Sequence, residues 1–318
     1  MKYTHTERID PYIMNLGTEQ VNEKTRGIAS KSVEEMLRLI NEEDRTVPDR
    51  VAEAIPAIAR AVELIVPRME KGGRMVYVGA GTSARLAFLD AAECPPTYYT
   101  AYDAVSCVMA GGRECVFRAK EHLEDSFEDA GRDLKEFGLT GLDTVIAAAA
   151  SGRTPYCIGA LEYAREIGAG RVCIACNRPS ALSRYAQVAI DMDTGAEAIA
   201  FSTRMKAGTA QKLAMNMLST CVMIKLGRTY DNLTFESARP NSKGSNRNPR
   251  LFAEAIGNPD LDYACKRLEE SDGCPRCALM KELLGADDET ARYACDHCGG
   301  SVMKALEIAR KRMSAGRR

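Results

Sequence analysis

The chain has 318 residues, of which 45% are hydrophobic and 27% are charged, and its formal net charge is −1. This length and composition are typical of a globular protein of roughly two domains. The balanced, interleaved charge argues against a nucleic-acid or membrane partner. Because the N-terminal segment lacks the apolar core of a signal peptide and no apolar run reaches about 18 residues, we expect a cytoplasmic protein.

The first predicted elements are helices. Residues 32–68 carry apolar side chains spaced three and four apart, which is the helical period. Pro48 and Asp49 mark a new helix start inside this stretch, so it predicts two helices. The following segments 113–137, 155–168 and 203–227 also read as helical.

Short apolar runs that end in glycine or polar residues alternate with those later helices, and they predict strands. The runs are RMVYVGAG (74–81), DTVIAAAASG (143–152), RVCIACN (171–177) and VAIDMDT (188–194). Strand–helix alternation of this kind predicts a three-layer α/β fold of the flavodoxin-like type, with a parallel sheet covered on both faces. Beyond Asn232 the polar run ESARPNSKGSNRNPR predicts a boundary or mobile segment, and short helices are expected from about Leu251.

Two loops join a predicted strand to a predicted helix. Residues 79–84 follow the pattern G-x-G-x-x-A, whose glycines let backbone N–H groups approach an anion at a helix N-terminus. Residues 151–155 hold the same position, and Pro155 suits a first helical turn. Because ligands of parallel sheets bind at the carboxyl ends of the strands, we expect both loops to hold one anionic ligand.

The nature of that anion has two interpretations. A dinucleotide site would need an acidic residue about 20 positions after the loop, and Asp103 is near enough to keep that alternative open. The hydroxyl groups in both loops are side-chain donors suited to a terminal phosphate monoester, although each could also be an ordinary helix cap. The candidate binding residues are Gly81, Thr82, Ser83, Ser151, Gly152, Arg153 and Thr154.

Several segments together resemble the N-acetylmuramic acid 6-phosphate etherases, which carry a sugar isomerase (SIS) domain. They are GAGTSARL, LDAAECPPTY, AASGRTPY, ALEYAR, STRMKAGTAQKLAMNMLST and EEMLRLINEED. The ECPPT and SGRTP motifs, in this order, are the specific part of the resemblance, which covers about residues 16–243 and resumes near GGSVMKALEI. The resemblance implies cleavage of a D-lactyl ether in cell-wall sugar recycling, giving N-acetylglucosamine 6-phosphate and D-lactate.

The resemblance also implies an organisation. We expect an N-terminal helical arm (1–55), an SIS sugar-phosphate-binding domain (56–235) and a C-terminal helical domain with a cysteine-containing insertion (236–318). The insertion is an extra polar stretch near residues 244–273. A homodimer is expected, often with the site completed across the interface. A related regulatory branch binds sugar phosphates without turnover, so a non-catalytic sensor is the alternative function.

Two glutamates are implied to carry the chemistry, without a catalytic metal or a nicotinamide. Glu93 matches the proton donor in the ECPPT motif, and Glu124 matches the family's second catalytic glutamate. A base removes the proton on carbon 2 of the open-chain sugar, an acid protonates the departing lactate, and water then adds to the unsaturated aldehyde. Which glutamate removes the carbon-2 proton stays open, and Glu121 is a rival to Glu124 because residues three apart share a helix face.

The surroundings of these glutamates carry further expectations. We expect Glu93 to be buried near the strand ends, where a carboxyl group can act as an acid near neutral pH. Lys206 and Arg204 could meet the phosphate or the lactate carboxylate, or be solvated. The residues expected to support the pocket or the helix ends are Asp90, Glu19, Lys206 and Gln211.

The chain departs from the usual family pattern at four positions where the family has glycine. These positions hold Ala84, Ala87, His122 and Asp231. The added methyl groups of the two alanines are expected to tighten the turn and alter the fit of the sugar.

Twelve cysteines are expected to be reduced thiols or metal ligands rather than disulfides. Two C-x2-C pairs, Cys274 with Cys277 and Cys295 with Cys298, match the spacing of zinc sites. Structural zinc, a zinc-ribbon docking module and a plain helical cap are the three interpretations of this tail. The pair Cys173 and Cys176 is interpreted as core, because residues three apart on a strand point to opposite faces.

Overall fold

The computed structural model describes residues 11–120, 122–235 and 242–315. The chain divides into two compact units, one formed by 1–92 and 103–219 and the other by 93–102 and 220–318. The division into 1–55, 56–235 and 236–318 stays a prediction.

A five-stranded parallel sheet forms the centre of the first unit, in the order β2-β1-β3-β4-β5. Its strands are β1 (Met75–Gly79), β2 (Val105–Met109), β3 (Thr144–Ala149), β4 (Gly170–Ala175) and β5 (Val188–Asp191). Every residue of β1 and β3 is buried, as expected for strands covered on both faces. Gly79 at the end of β1 pairs with Met109 of β2 and Ala148 of β3, so these strands end at one edge.

Helices precede, connect and follow these strands along the chain. They are α1 (Pro11–Met14), α2 (Val33–Asp44), α3 (Val47–Met69), α4 (Gly81–Tyr98), α5 (Glu114–Phe117), α6 (Phe127–Phe137), α7 (Pro155–Glu166) and α8 (Lys206–Lys225). The two helices predicted between residues 32 and 68 are confirmed as α2 and α3. Ser32 caps α2 through a reciprocal pair of hydrogen bonds with Glu35, and Pro48 occupies the first turn of α3.

The core of the first unit lies between the sheet and these helices. On one face, Val78 and Val145 pack with Leu134 of α6 and Leu161 of α7, and all four are fully buried. Burying each such leucine contributes about 1.5–3 kcal/mol. Helix α3 also packs against the sheet, at β4 and β5. The parallel sheet with its packed helices is the predicted three-layer α/β fold.

Cys173 of β4 and Cys176, which directly follows that strand, are also interior residues. Cys173 and Cys176 are fully buried, as the interpretation of this pair as core requires. The Cys176 thiol donates to the backbone carbonyl of Ala207 at 3.4 Å.

In its described residues, the regular structure of the second unit is helical apart from one small hairpin. The hairpin pairs β6 (Thr229–Tyr230) with β7 (Leu233–Thr234). The helices are α9 (Ser242–Ile256), α10 (Leu261–Glu269), α11 (Pro275–Leu284), α12 (Asp288–His297) and α13 (Val302–Ala315). The short helices predicted after Leu251 are therefore confirmed, and α9 and α10 occupy most of the predicted insertion. Within the polar run, residues 236–241 lie outside the described residues.

Two parts of the sequence prediction were wrong. Strand β2 was not predicted. The segment 113–137 is not one helix, because α5 ends at Phe117, a single 3-10 turn follows at Leu123–Asp125, and α6 begins afresh where the Ser126 hydroxyl accepts from the amide of Asp129. Across the described residues, no helix combines the length and apolar character needed to cross a membrane.

Candidate functional site

The loops that follow β1 and β3 are neighbours at the carboxyl edge of the sheet. Strands β1 and β3 pair directly, with Gly79 opposite Ala148. The strand order 2-1-3 also reverses the direction of winding between them. In open α/β sheets such a switch point forms the crevice in which ligands bind.

The first loop brings the start of α4 to this crevice. Gly79 must be small, because a Cβ atom there would lie 3.0 Å from the carbonyl oxygen of Ala148. Gly81 has φ +52°, a left-handed conformation that favours glycine, and it is exposed. The first amides of a helix have no intrahelical partner, so those of Gly81, Thr82 and Ser83 are suited to an anion.

Ser83 connects this loop to α8. Its buried hydroxyl donates to Oε1 of Gln211 at 2.8 Å. Gln211 is 1% exposed, and its Nε2 has no hydrogen-bond partner among the described residues. The expectation that Gln211 supports the pocket agrees with this contact, and its amide N–H groups are unused donors beside the loop.

The second loop is held by backbone and side-chain contacts. Gly152 has φ +71°, and a Cβ atom there would lie 2.5 Å from Cβ of Ser180. The Ser151 hydroxyl accepts from the amide of Arg153 at 3.4 Å. Thr154 stands at the N-cap of α7, yet its side chain makes no capping bond within the described part of the chain. Its half-buried hydroxyl is therefore not used as a helix cap.

Asn177 is a polar residue of this edge that the sequence prediction missed. It follows β4, and its Nδ2 donates to Thr18 Oγ1 at 3.0 Å and to the carbonyl of Ser151 at 3.2 Å. The amide of Thr18 donates to Asn177 Oδ1 at 3.3 Å, and the Thr18 hydroxyl donates to Glu19 at 3.3 Å. The sequence feature that could have identified Asn177 is a polar residue directly after an apolar strand.

Glu124 lies beside the first loop. A small cavity of about 80 Å³ is lined by Gly81, Arg85, Lys120 and Glu124, among others. Glu124 is half-buried on the 3-10 turn Leu123–Asp125. It was expected on a helix face shared with Glu121; the described backbone has no such helix here, and Glu121 lies outside the described residues.

Two cations line this cavity together with the Glu124 carboxylate. The Arg85 guanidinium donates to the carbonyls of Cys115 at 2.7 Å and Val116 at 2.9 Å, which fixes its orientation. Lys120 forms an exposed ion pair with Glu114 at 2.8 Å. Positive charge next to a helix N-terminus favours an anionic ligand.

Glu93 has different surroundings from those expected. It lies on α4, twelve residues after Gly81, and it is exposed. The helix continues through Pro95 and Pro96 to Tyr98, so Glu93 is not at a strand end. The expected burial of Glu93 was therefore wrong.

Asp90, one turn before Glu93 on α4, is a buried structural carboxylate. It accepts hydrogen bonds from Tyr77 at 2.8 Å, Asn216 at 2.7 Å and Ser219 at 3.0 Å. Burial raises its pKa, and these three hydrogen bonds oppose that shift. Asp90 thus ties α4 to β1 and α8, in agreement with its expected supporting role.

Lys206 has the supporting role expected of it at a helix end, but neither of the two environments considered for its ammonium group. It is 4% exposed, and its Nζ pairs with Glu43 at 2.7 Å. The buried carboxylate of Glu197 caps α8 by accepting from the amides of Lys206 at 2.8 Å and Ala207 at 2.9 Å. The alternatives of a phosphate ligand and a solvated cation were both wrong for Lys206, whereas Arg204 is exposed.

The position of Asp103 decides against the dinucleotide alternative. Asp103 is exposed and precedes β2, which begins at Val105. It therefore lies at the amino end of β2, whereas the first loop lies at the carboxyl ends of the strands. A ribose-binding acid belongs at the carboxyl edge.

Comparison with known proteins agrees with this architecture. The family model of the glucokinase regulatory protein N-terminal SIS domain matches residues 57–165, and the SIS domain model matches residues 130–221. The N-acetylmuramic acid 6-phosphate etherase of Halalkalibacterium halodurans is 46% identical over 291 residues, 92% of this chain and 97% of that protein. The etherase of Pectobacterium atrosepticum is 45% identical over 296 residues, with 92% and 97% covered.

The chain belongs to the N-acetylmuramic acid 6-phosphate etherase family. The predicted family resemblance and the SIS fold are thereby confirmed. A solved phosphoheptose isomerase from Francisella tularensis is similar to 59% of this chain and 98% of its own, with a TM-score of 0.46 and 15% identity.

The glycine positions at which this etherase-family chain departs from the pattern fall into two classes. Ala84 and Ala87 are fully buried, so their methyl groups fill the interior and do not face a sugar. The expected effect on sugar fit is not supported by this packing. His122 and Asp231 have φ +70° and +52°, the left-handed region that explains why glycine suits both positions.

Proposed function

We propose that this protein is an N-acetylmuramic acid 6-phosphate etherase, a carbon–oxygen lyase that releases D-lactate and leaves N-acetylglucosamine 6-phosphate. The observation that carries the proposal is the 46% identity to a curated etherase over 92% of the chain. Both motif carboxylates, Glu93 and Glu124, are present. A role in cell-wall sugar recycling follows from this substrate.

The phosphate group would bind at the switch point between β1 and β3. Support comes from the free amides at the start of α4 and from the hydroxyls of the two adjacent loops. The proposed binding residues are Gly81, Thr82, Ser83, Ser151, Gly152, Arg153 and Thr154. Arg85 and Lys120 line the neighbouring cavity together with Glu124, and both cations are side chains that pair with phosphate.

The proposed chemistry is elimination followed by hydration. Glu124 takes the proton from carbon 2 of the open-chain sugar, and the electron pair forms the carbon 2–carbon 3 double bond as the ether oxygen leaves carbon 3. Glu93 donates its proton to that oxygen, which departs as D-lactate. The resulting Glu93 carboxylate then activates water for addition at carbon 3. Two carboxylates are sufficient, and the scheme calls for no metal or nicotinamide.

We further propose a homodimer in which the partner subunit completes each site. The exposure of Glu93 in the single chain is consistent with a carboxylate that acts against a neighbouring subunit. We also propose a cytoplasmic location. None of the twelve cysteines forms a disulfide, which suits a reducing compartment.

D-lactate release from N-acetylmuramic acid 6-phosphate tests the function directly. The wild type should release lactate in the presence of a metal chelator, and Glu93→Gln and Glu124→Gln should each lose about 10²–10⁴-fold in rate. Glu128→Gln is the matched control, because Glu128 is an exposed acid four residues after Glu124. Wild-type rates in both active-site variants would contradict the assignment.

A non-catalytic sugar-phosphate sensor is the second candidate. The match of residues 57–165 to the glucokinase regulatory protein domain favours it specifically. A sensor would gain thermal stability with the sugar phosphate, by about 2.7 kcal/mol at a ligand concentration 100 times Kd, and would release no lactate. That result from a folded wild type would replace the etherase with the sensor.

A further inference from the structure

Three cysteine thiols converge in the helical unit. They lie far along the sequence from Glu93 and Glu124, the residues proposed for catalysis. The Sγ atoms of Cys274, Cys277 and Cys295 all lie within 4.8 Å of one another. Cys277 and Cys295 are 3.0 Å apart, and Cys274 and Cys295 are 4.0 Å apart. Cys274 caps the start of α11, and Cys295 lies in the last turn of α12, so the two helices meet at this cluster.

These distances suit a single tetrahedral ion. A Zn–S distance of about 2.3 Å gives sulfur–sulfur edges of about 3.8 Å in a tetrahedron. The observed separations bracket that value. The backbone amide of Cys277 donates to Cys274 Sγ at 3.4 Å, a contact that stabilises a thiolate in a C-x2-C turn.

Cys298 is the candidate fourth ligand, although its Sγ is not part of the group of three that lie within 4.8 Å of one another. It is buried at the C-cap of α12, three residues after Cys295. Its thiol makes a weak hydrogen bond to the carbonyl of Cys295 at 3.1 Å, which a metal–sulfur bond would replace. Structural zinc sites hold four protein ligands, and both C-x2-C pairs would then contribute.

A buried cation supplies the second, independent observation. Arg276 lies between the first two cysteines in sequence and is 7% exposed. Its Nη1 donates to Cys298 Sγ at 3.6 Å, and its Nε has no hydrogen-bond partner among the described residues. It pairs with no carboxylate in the described part of the chain. A zinc ion with four thiolates carries a net charge of −2, and this is the counter-charge that a buried guanidinium requires.

We propose that Cys274, Cys277, Cys295 and Cys298 bind one structural Zn²⁺ ion that joins the start of α11 to the end of α12. The helices concerned share a small core of mostly alanine side chains, with Met280 and Leu306 among its few large residues. Small helical modules with few large apolar side chains are commonly stabilised by a metal. The ion is structural and takes no part in the proposed etherase reaction.

Metal analysis of the full-length protein tests this proposal without any assay of catalysis. Protein purified under reducing conditions from zinc-supplemented cells should hold about one zinc per chain. Cys274→Ser, Cys277→Ser, Cys295→Ser and Cys298→Ser should each lose most of it. Cys265→Ser is the matched control, since Cys265 is an exposed cysteine on α10 in the same unit, and it should keep the zinc.

Cobalt binding covers the case in which a serine variant fails to fold. Wild-type protein stripped of metal and titrated with Co²⁺ should develop thiolate charge-transfer bands and the intense visible bands of a tetrahedral site, saturating at about one equivalent. Wild-type protein that holds no zinc and shows no such bands would overturn the proposal. Full zinc retention by Cys298→Ser would overturn the assignment of the fourth ligand.

Two other outcomes would also overturn the zinc proposal. Iron in the purified protein, with visible absorption before any cobalt is added, would assign the four cysteines to a different metal. A thiol count in denaturant, without reductant or metal, that falls two short of the twelve cysteines would indicate a disulfide. Twelve reactive thiols, together with zinc that is released on denaturation, is the expected result.

Discussion

Glu93 and Glu124 are chemically identical carboxylates in unlike surroundings. Glu93 is exposed on a long helix, whereas Glu124 is half-buried on a 3-10 turn that faces Gly81. A base must reach a carbon-bound proton, and an acid must reach the departing oxygen, so the two side chains need not be alike. Their separate roles can be distinguished by following the carbon-2 proton.

The first prediction concerns those roles. With N-acetylmuramic acid 6-phosphate in D2O, Glu93→Gln should still exchange the carbon-2 hydrogen for deuterium because the base is intact, while its lactate release falls by about 10²–10⁴-fold. Glu124→Gln should lose both exchange and release. NMR of the recovered sugar measures the exchange. The opposite pattern would interchange the acid and base assignments.

The second prediction concerns Asp231, which holds φ +52° in the turn between β6 and β7. Replacement of Asp231 by Gly should raise the free energy of unfolding by up to about 1 kcal/mol, since glycine adopts this conformation without steric cost. Asn232→Gly is the control, because Asn232 is not among the residues with positive φ and should gain nothing. Urea denaturation measures both, and equal gains would contradict the explanation.

At the scale of elements, the start of α8 is held by buried charge. Glu197 caps the helix, and Lys206 reaches Glu43 of α2. Asn22 also donates to Glu43 at 2.8 Å. Removal of Lys206 takes away the buried cation and leaves the buried Glu43 carboxylate with only Asn22 and the exposed Lys24 as partners.

The third prediction is that Lys206→Met lowers the free energy of unfolding by about 3–5 kcal/mol at neutral pH. Lys24→Met is the matched control: Lys24 also pairs with Glu43, at 3.4 Å, but its side chain is 76% exposed, so its loss should cost about 1 kcal/mol or less. Similar losses in both variants would show that burial is not the deciding factor.

The same pair predicts a pH dependence. Burial raises the pKa of Glu43, but hydrogen bonds from Lys206 and Asn22 outweigh it, and its pKa is lowered overall. The stabilisation is therefore complete above the unfolded-state pKa of 4.5 and is lost as pH falls through the lower folded-state value. Denaturation of the wild type and Lys206→Met should give a difference in the free energy of unfolding that stays level from about pH 7 to about pH 5 and narrows as pH falls further. A constant difference would contradict this.

The sequence predicted the elements with strong patterns and missed those with weak ones. Strands β1 and β3 are continuous apolar runs, and both were predicted. Strand β2 lies at a sheet edge with three partly exposed residues, so Ser106 and Cys107 gave it no clear apolar run. Ser126 followed by Asp129 is a pattern typical of a helix start, and it could have predicted the start of α6. The segment is highly charged, however, and it was predicted as one continuous helix.

The parts of the candidate site that depend on short local sequence motifs could be predicted from the sequence. Both glycine-containing loops could be assigned to strand ends, because motif and sheet topology agree there. The Asn177–Thr18 contact joins residues far apart in sequence, and no local pattern specifies it. The exposure of Glu93 depends on packing rather than on its motif.

At the scale of the whole molecule, the fourth prediction tests whether subunits share each site. If Glu93 of one protomer acts with Glu124 of its partner, mixed dimers of Glu93→Gln and Glu124→Gln contain one intact pair of carboxylates. Refolding equal amounts of the two inactive variants together should then restore about a quarter of wild-type lactate release, since random mixing makes half of the dimers hybrid. No recovery would place both carboxylates in one chain, provided that sizing shows dimers.

The exposure of just two thiols has a practical consequence. Cys221 on α8 and Cys265 on α10 are exposed, and the other ten cysteines are buried or partly buried. Both exposed residues belong to the second unit. A brief maleimide reaction should therefore attach dyes to these two positions of the native sequence, because reactivity follows thiolate access. Energy transfer between the dyes would then report on the folding of the helical unit alone, without a cysteine-free background.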